Sequence, residues 1–387
     1  MSINAIHFDI SELVAKPLRT GIQRIERQLI QHWPGPAPLV PLFFDIETNQ
    51  FCELPLEVFQ VLTINESNGS SVEDEQRSLS AFVARRKLLG MNVRNLRILN
   101  TELFFCPRRS VAYIDLLAAM KRSIFWICMD FLPYLYPNYF QANTTKGCMH
   151  FLRALREVHN VGFISSPTRD DYRNRIVRRP EAEGPVFVLG GDGIELERQK
   201  FDSRKISFLL IGTIEPRKRV AEVLEAFAAL SQRGSAAKLR VVGRLLANAW
   251  RERELLEPSA TCASIHYSGE ISDDELKALF RRARATLFVS EAEGFGIPVY
   301  ESLSSGIPVI CSARGIPSLA SIAAEGQIRL EEVSAASIAN AVEHLMNDSV
   351  ARRIWGEASS IRIPTWKDFA RDVAHWVQTG EHSEGDE

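Results

Sequence analysis

The sequence predicts an α/β protein built from two doubly wound domains, and three observations predict it. Apolar runs of strand length recur along the chain, each followed by a turn and an amphipathic segment of helical period. These βα units fall into two separate series. Between the series lies Gly190-Gly191-Asp192-Gly193, which reads as an interdomain linker able to act as a hinge. A chain of 387 residues is long enough to bury two full cores. The expected division is a first domain over 1–193, a second over 194–365, a crossover helix over 366–380 and a disordered acidic tail over 381–387.

In the first series, Ile3 to Ile10 is the opening strand. Thr20-Gly21 forms the junction to a helix through Trp33, with Ile22, Ile25, Leu29 and Ile30 on one face and Arg24 and Arg27 on its first turns. Leu39 to Ile46 is a second strand, and the polar stretch 65–80 reads as an exposed loop. The basic run from Arg85-Arg86-Lys87 through Arg94 to Arg97 reads as a solvated face ahead of the apolar run Leu103 to Cys106. Ser123 to Met129 is a strand ending at Asp130, followed by a loop rich in proline and aromatic residues, where an open α/β sheet presents ligand-facing groups. A helix over Met149 to Val158, a strand over Val161 to Ser165, a helix capped by Ser166 and a strand over Pro185 to Leu189 complete this half.

The second series opens with a strand over Ile206 to Ile211. Gly212-Thr213-Ile214-Glu215-Pro216-Arg217-Lys218 follows, then a helix from Val220 to Ser231. A strand, a glycine turn and two cations ahead of a helix suit an anionic ligand. Strands at Lys238 to Val242 and Ile265 to Ser268 come next, and Ser272 to Glu275 is a capping box for a helix reaching Ala283. The strand at 285–289 leads into Ser290-Glu291-Ala292-Glu293-Gly294-Phe295-Gly296-Ile297-Pro298-Val299-Tyr300-Glu301. Its glycines let a ligand approach the backbone, and Pro298 takes an early position in a helix whose free N–H groups and dipole favour an anion. Two carboxylates flank that anion site, Glu293 in the loop and Glu301 on the first turn of the helix. A strand at Ile307 to Cys311 and helices at 335–347, 350–358 and 366–377 end the fold; the last carries an apolar stripe of Trp366, Phe369, Val373 and Trp376.

Composition narrows the function classes. A formal net charge of −2 gives no support to non-specific nucleic-acid binding. The six cysteines, 52, 106, 128, 148, 262 and 311, form no Cys-x-x-Cys pair and suit reduced, buried thiols in a cytosolic protein. No run approaches the roughly 18 apolar residues of a membrane span, and the start lacks a signal-peptide layout, so any membrane contact is expected to be peripheral. No Gly-x-Gly-x-x-Gly follows the first strand of either half, which argues against a nicotinamide dinucleotide site.

The run Glu293-Gly-Phe-Gly-Ile-Pro-Val-Tyr-Glu301 resembles the Glu-x7-Glu signature of retaining GT-B glycosyltransferases of the family 4 type. Thr-Gly-Ile-Gln-Arg at 20–24 and Glu-Pro-Arg-Lys at 215–218 are similar to its bacterial mannosyl- and rhamnosyltransferases. The resemblance is strongest over 206–312, good over 8–30 and 124–140, and weak over 50–120. It implies a GT-B fold, two Rossmann-like domains facing across a cleft, with the last helix crossing back to the first domain. It further implies transfer of a hexose, foremost mannose from GDP-mannose, to a lipid-linked or oligosaccharide acceptor in a surface glycan such as O-antigen or exopolysaccharide. A first half carrying 22 Lys+Arg against 19 Asp+Glu over residues 1–190 fits an anionic acceptor at the inner face of the cytoplasmic membrane.

Carried over position by position, the resemblance gives Glu293 to the donor hexose, Glu301 to the ribose, and the backbone of Gly294, Phe295 and Gly296 to the phosphates. Arg217 and Lys218 would neutralise the diphosphate beside Gly212 and Thr213, the latter replacing the family's usual basic residue. Thr20, Gly21 and Arg24 would line the cleft near the donor, and Asp130 would contact acceptor or sugar. Met129 stands where the family has histidine, which removes one polar contact to the donor. No Asp-x-Asp motif occurs, so no obligatory metal or cofactor is expected. The rival readings are a GT-B-fold UDP-sugar epimerase and a non-catalytic partner subunit of the same fold.

Overall fold

The computed structural model describes residues 5–18, 20–67, 72–89, 96–179, 181–257 and 262–381. The chain divides into two compact units, Met1–Leu189 with Trp366–Glu387, and Gly190–Thr365. In the first unit the strands are β1 (Ile6–Asp9), β2 (Leu39–Asp45), β3 (Gln50–Glu53), β4 (Lys87–Leu88), β5 (Arg97–Asn100), β6 (Ile124–Cys128) and β7 (Asn160–Phe163). The helices are α1 (Ser11–Ala15), α2 (Gly21–His32), α3 (Glu57–Ser67), α4 (Val72–Val83), α5 (Pro107–Met120), α6 (Leu132–Leu135), α7 (Ala142–Leu155) and α8 (Ser166–Asp171). The sheet order is β4-β3-β2-β1-β5-β6-β7. β2, β1, β5, β6 and β7 run parallel, while β3 and β4 extend the edge antiparallel. The order reverses direction between β1 and β5, which makes their carboxyl ends the switch point of this sheet.

The second unit holds β8 (Ser207–Ile211), β9 (Lys238–Val242), β10 (Ile265–Tyr267), β11 (Ala283–Phe288), β12 (Val309–Ser312) and β13 (Gln327–Leu330). Its helices are α9 (Val220–Gln232), α10 (Trp250–Leu256), α11 (Asp273–Arg282), α12 (Ile297–Ser304), α13 (Ala335–Met346) and α14 (Asp348–Ser360). Every pairing in its sheet, β10-β9-β8-β11-β12-β13, is parallel, and its switch point lies between β8 and β11. Buried on both faces, these strands read as unbroken apolar runs such as Phe208-Leu209-Leu210 and Val309-Ile310-Cys311. The capping box at Ser272 forms as the sequence predicts, with hydroxyl and Glu275 carboxylate each satisfying the other's backbone N–H.

The last helix, α15 (Trp366–Thr379), belongs to the first unit. Trp366, Phe369, Val373 and Trp376 are all buried, and Trp376 meets the rings of Phe125 and Phe187 edge-on or tilted, with centroids 4.9 and 5.2 Å away. The apolar stripe is therefore a docking face rather than a free amphipathic surface.

The structure corrects several sequence expectations in the first half. Of residues 65–80, expected in an exposed loop, 65–67 end α3 and 72–80 lie in α4, where Leu79 is in the core and Glu75 pairs with Arg27 at 2.7 Å. Propensity reading missed this because the helix is stabilised by a buried ion pair formed 48 residues away in sequence. Residues 68–71, which that expectation also covered, lie outside the described residues, as do Arg94 of the basic run and the residues of the tail beyond 381. Strands β3 and β5 and helix α5 were not foreseen; α5 is weakly amphipathic and begins at Pro107, directly after the apolar run Leu103 to Cys106. Arg86 of the basic run bonds Asp45 at 2.8 Å instead of standing free in solvent. The helix placed at Met149 starts earlier, at Ala142. Ser165, not Ser166, caps α8, since its hydroxyl accepts from the Thr168 N–H. The strand expected over Pro185 to Leu189 reduces to a single bridge between Val186 and Phe163. In the linker, Gly191 is closely packed: a Cβ there would fall 2.7 Å from the Tyr300 carbonyl oxygen, and its N–H donates to Pro364 at 3.0 Å.

Candidate active site

At the switch point of the second sheet, the loop after β8 and the loop after β11 lie side by side. The Glu291 N–H donates to the Arg217 carbonyl at 2.8 Å, which ties the two loops together. Gly212 ends β8 with φ of +128°, a conformation that favours glycine, and a Cβ on it would fall 2.7 Å from the Lys218 amine. The lysine head therefore rests directly on the glycine turn. The half-buried Thr213 follows, and the strand end is closed by a bridge from Ile214 to Leu245.

Glu293 is the meeting point of this region. Arg217 Nη1 lies 2.9 Å from one carboxylate oxygen; the Ser290 hydroxyl donates to the other at 2.7 Å, and Lys218 Nζ stands 3.9 Å from it. Arg217 is itself held by Glu215 at 2.7 Å and by the Ala292 carbonyl at 2.5 Å, and its side chain is 13% exposed. Burial would raise the Glu293 carboxyl, but Lys218 and Arg217, with the hydrogen bonds from Arg217 and Ser290, hold it below the usual glutamate value. The two loops thus bring one carboxylate and two cations to one place.

Gly296 caps α12 in the left-handed region, with φ of +104°. A Cβ there would fall 2.4 Å from Ile316 Cγ2, so both the conformation and the packing select glycine. Because α12 begins only at Ile297, Glu301 sits on its second turn, not its first, and is buried at 2% exposure. Phe295 turns its ring into the core against Tyr300, with centroids 4.8 Å apart, leaving its backbone to the loop. The structure thus brings together Gly212, Arg217, Lys218 and Glu293, with Gly294 to Gly296 on the same loop as Glu293 and Glu301 four residues into the helix. Arg219 points elsewhere, to Glu222 at 3.1 Å and Glu291 at 3.5 Å.

The remaining sequence candidates belong to the first unit. Thr20 caps α2, its hydroxyl accepting from the Gln23 N–H at 3.4 Å, and Gly21 is exposed beside it. Gln23 also donates to the Lys16 carbonyl at 2.9 Å, which shapes the loop before the helix. Arg24 is half-buried on the first turn, whereas Arg27 is fully buried and donates to the Leu62 carbonyl at 2.6 Å, so it is part of the core. Asp130 follows β6, and its carboxylate accepts from the Leu132 N–H at 3.0 Å; Met129 is buried.

Sequence reasoning missed a buried ionic cluster at the switch point of the first sheet. Arg109 on α5 reaches Asp9 at the end of β1 at 2.7 Å, Glu102 beyond β5 at 2.5 Å and Glu12 on α1 at 3.1 Å. Tyr113 donates to Asp9, and Glu26 lies nearby, bonded by Thr101 at 3.4 Å. Burial chiefly, with neighbouring carboxylates, pushes Glu102 up to about 8 and raises Glu26. The one signal in the sequence was the aspartate closing the first strand. Its cation arrives 100 residues later, from a helix that was not recognised.

Residues 194–362, a span that lies within the second unit, match the family model described as Glycosyl transferases group 1. Among curated proteins, the chain is 33% identical over 168 residues to the serotype-specific mannosyltransferase WbdA of Escherichia coli, covering 42% of this chain and 20% of that protein. It is 31% identical over 162 residues to the O-antigen chain mannosyltransferase B of Escherichia coli, covering 40% and 39%. The match thus spans a fifth to two fifths of those relatives. Among solved structures, Anabaena HepE in complex with UDP and glucose superposes with a TM-score of 0.62 at 15% identity, covering 96% of this chain and 98% of that one. Sucrose-phosphate synthase from Thermosynechococcus elongatus gives 0.61 at 15% identity over the same shares. At such identities the likeness shows the fold, which is GT-B, with two Rossmann-like units.

Proposed function

We propose that the chain is a retaining glycosyltransferase that moves a hexose from a nucleotide-diphosphate donor, foremost mannose from GDP-mannose, to a growing bacterial surface glycan. The observation that carries this reading is the convergence of Arg217 and Lys218 on Glu293 at the switch point between β8 and β11. Mannose is supported by the mannosyltransferase names of the relatives matching the second unit. In this reading the anomeric C–O bond to the β-phosphate breaks and the acceptor hydroxyl oxygen bonds the anomeric carbon. The acceptor proton passes to the departing phosphate. Lys218 and Arg217 offset the charge that develops on that phosphate, Glu293 orients the donor hexose, and Glu301 serves the ribose. The amides at 294–296 face the diphosphate, and Asp130 contacts acceptor or sugar. Two cations supply the neutralisation that a metal would otherwise give, so turnover needs no divalent ion.

The test is calorimetric binding of GDP, UDP and dTDP, followed by transfer assays against a donor panel with and without lipid-linked acceptor. Preferred GDP binding with acceptor-dependent release of GDP from GDP-mannose is the expected result. Turnover of a UDP-sugar without acceptor would mean an epimerase instead, and binding with no turnover a non-catalytic partner. Lys218→Ala is expected to lower kcat about 10²–10³-fold. Unchanged turnover in that variant would remove the site assignment.

A further inference from the structure

A second cluster of cations lies at the other end of the second unit's sheet. A groove of about 500 Å³ is lined by Lys200, Lys205, Arg281 and Arg352, together with Phe201 and Asp202. Lys205 lies two residues before β8, and Arg281, the penultimate residue of α11, lies two residues before β11, so both stand at the amino ends of the two central, paired strands. Gly212 and Glu293 lie beyond the carboxyl ends of the same strands, about 17 Å away along five strand residues.

None of the four lining cations has a salt bridge among the described residues. Acids close to them in sequence have other partners. Asp202 pairs with Arg204 at 2.7 Å, Asp348 with Arg284 at 2.7 Å, and Glu357 with Arg353. Two of the four are instead placed over aromatic faces: Arg352 lies 4.8 Å from the centre of the Phe201 ring, and Lys205 4.6 Å from that of Trp355. Half-burial lowers the Lys205 amine below its ordinary value, with Asp202 alone opposing. Four like charges around one concave site repel each other, and the one carboxylate that lines it, Asp202, is shared with Arg204.

We propose that this groove is a second ligand site, separate from the sugar-nucleotide site, that takes a phosphate or diphosphate group. The group is either free in solution or carried on a lipid headgroup. Two guanidinium groups give paired N–H donors to phosphate oxygens, and the two ammonium groups add charge from the strand ends.

The experiment titrates the full chain with inorganic pyrophosphate by calorimetry, comparing wild type, Arg281→Ser/Arg352→Ser, Arg281→Lys/Arg352→Lys and Lys218→Ala. The double serine variant is expected to bind about tenfold or more weakly at one site. The double lysine variant should retain most of that binding, and Lys218→Ala should keep it entirely. Equal binding by wild type and the double serine variant overturns the proposal, even if Lys218→Ala alone is impaired, a result that would speak only for the sugar-nucleotide site. Both arginines are exposed, and Arg352→Ser alone serves as a milder variant read the same way. Co-sedimentation with phosphatidylcholine vesicles, with and without phosphatidylglycerol, then separates the sources. Pelleting with anionic vesicles that is lost in the double serine variant assigns a headgroup, and pyrophosphate binding without pelleting assigns a free phosphate. Absence of both overturns the site.

Discussion

Two carboxylates show how differently neighbours can set the charge of one residue type. Glu293 is buried but faces two cations, and they keep it ionised. A depressed folded value contributes stability above the unfolded value near 4.5, which is lost as pH falls through the folded one. Glu293→Gln should therefore flatten the acid side of the pH–stability curve, measured as urea midpoint against pH. It should also cut kcat/KM in the transfer assay by about 10²-fold or more, since the charge proposed to orient the hexose is gone. Glu102 has the opposite sign. Burial raises it to about 8, so the folded state holds its proton more tightly than the unfolded chain. Its contribution is full below about 4.5 and shrinks as pH rises toward 8. Between those limits Glu102→Gln should lose less stability with rising pH than wild type; parallel curves would show that the proton sits elsewhere in the cluster.

Among elements, α12 and α15 are fixed by different means. α12 starts where it does because Gly296 adopts a left-handed conformation with no room for a side chain. Gly296→Ala should cost roughly 1–3 kcal/mol from the backbone strain alone, with weakened nucleoside diphosphate binding as the loop shifts. Thermal melts and GDP calorimetry on the same sample would read both effects, and a variant with normal binding would separate the loop from the ligand. α15 depends on its apolar stripe. Trp376→Ala removes a side chain packed between Phe125 and Phe187 and should destabilise by about 3–5 kcal/mol, read by urea titration. An effect within experimental error would mean that the helix contributes little to the first unit.

At the scale of the whole molecule, the two sheets place charge differently at equivalent points. The first buries an arginine among carboxylates at its switch point, while the second presents a carboxylate with an arginine and a lysine there. Among the described residues no group of three or more His, Cys, Asp or Glu side chains is arranged to hold a metal ion, and no helix is long and apolar enough to cross a membrane. The proposed chemistry draws its positive charge from Arg217 and Lys218, so transfer should persist in EDTA. Activity abolished by EDTA and restored by Mg2+ or Mn2+ would displace those two residues from that role.

The second unit was legible in the sequence almost strand by strand, because buried parallel strands separated by short helices leave periodic, local marks. The glycines, capping residues and acid–base spacing of 212–218 and 290–301 are likewise local, so the loops that meet could be named in advance. Tertiary structure alone decided which groups actually touch: that Arg217 would bridge Glu215 and Glu293, that Phe295 would turn inward, and that Arg27 would be buried against Glu75. It also assembled the Asp9–Glu102–Arg109 cluster and the groove of Lys200, Lys205, Arg281 and Arg352 from distant segments. Periodicity fixes which residues face a core, but an ion pair needs two side chains brought close in space, and no local pattern records that distance.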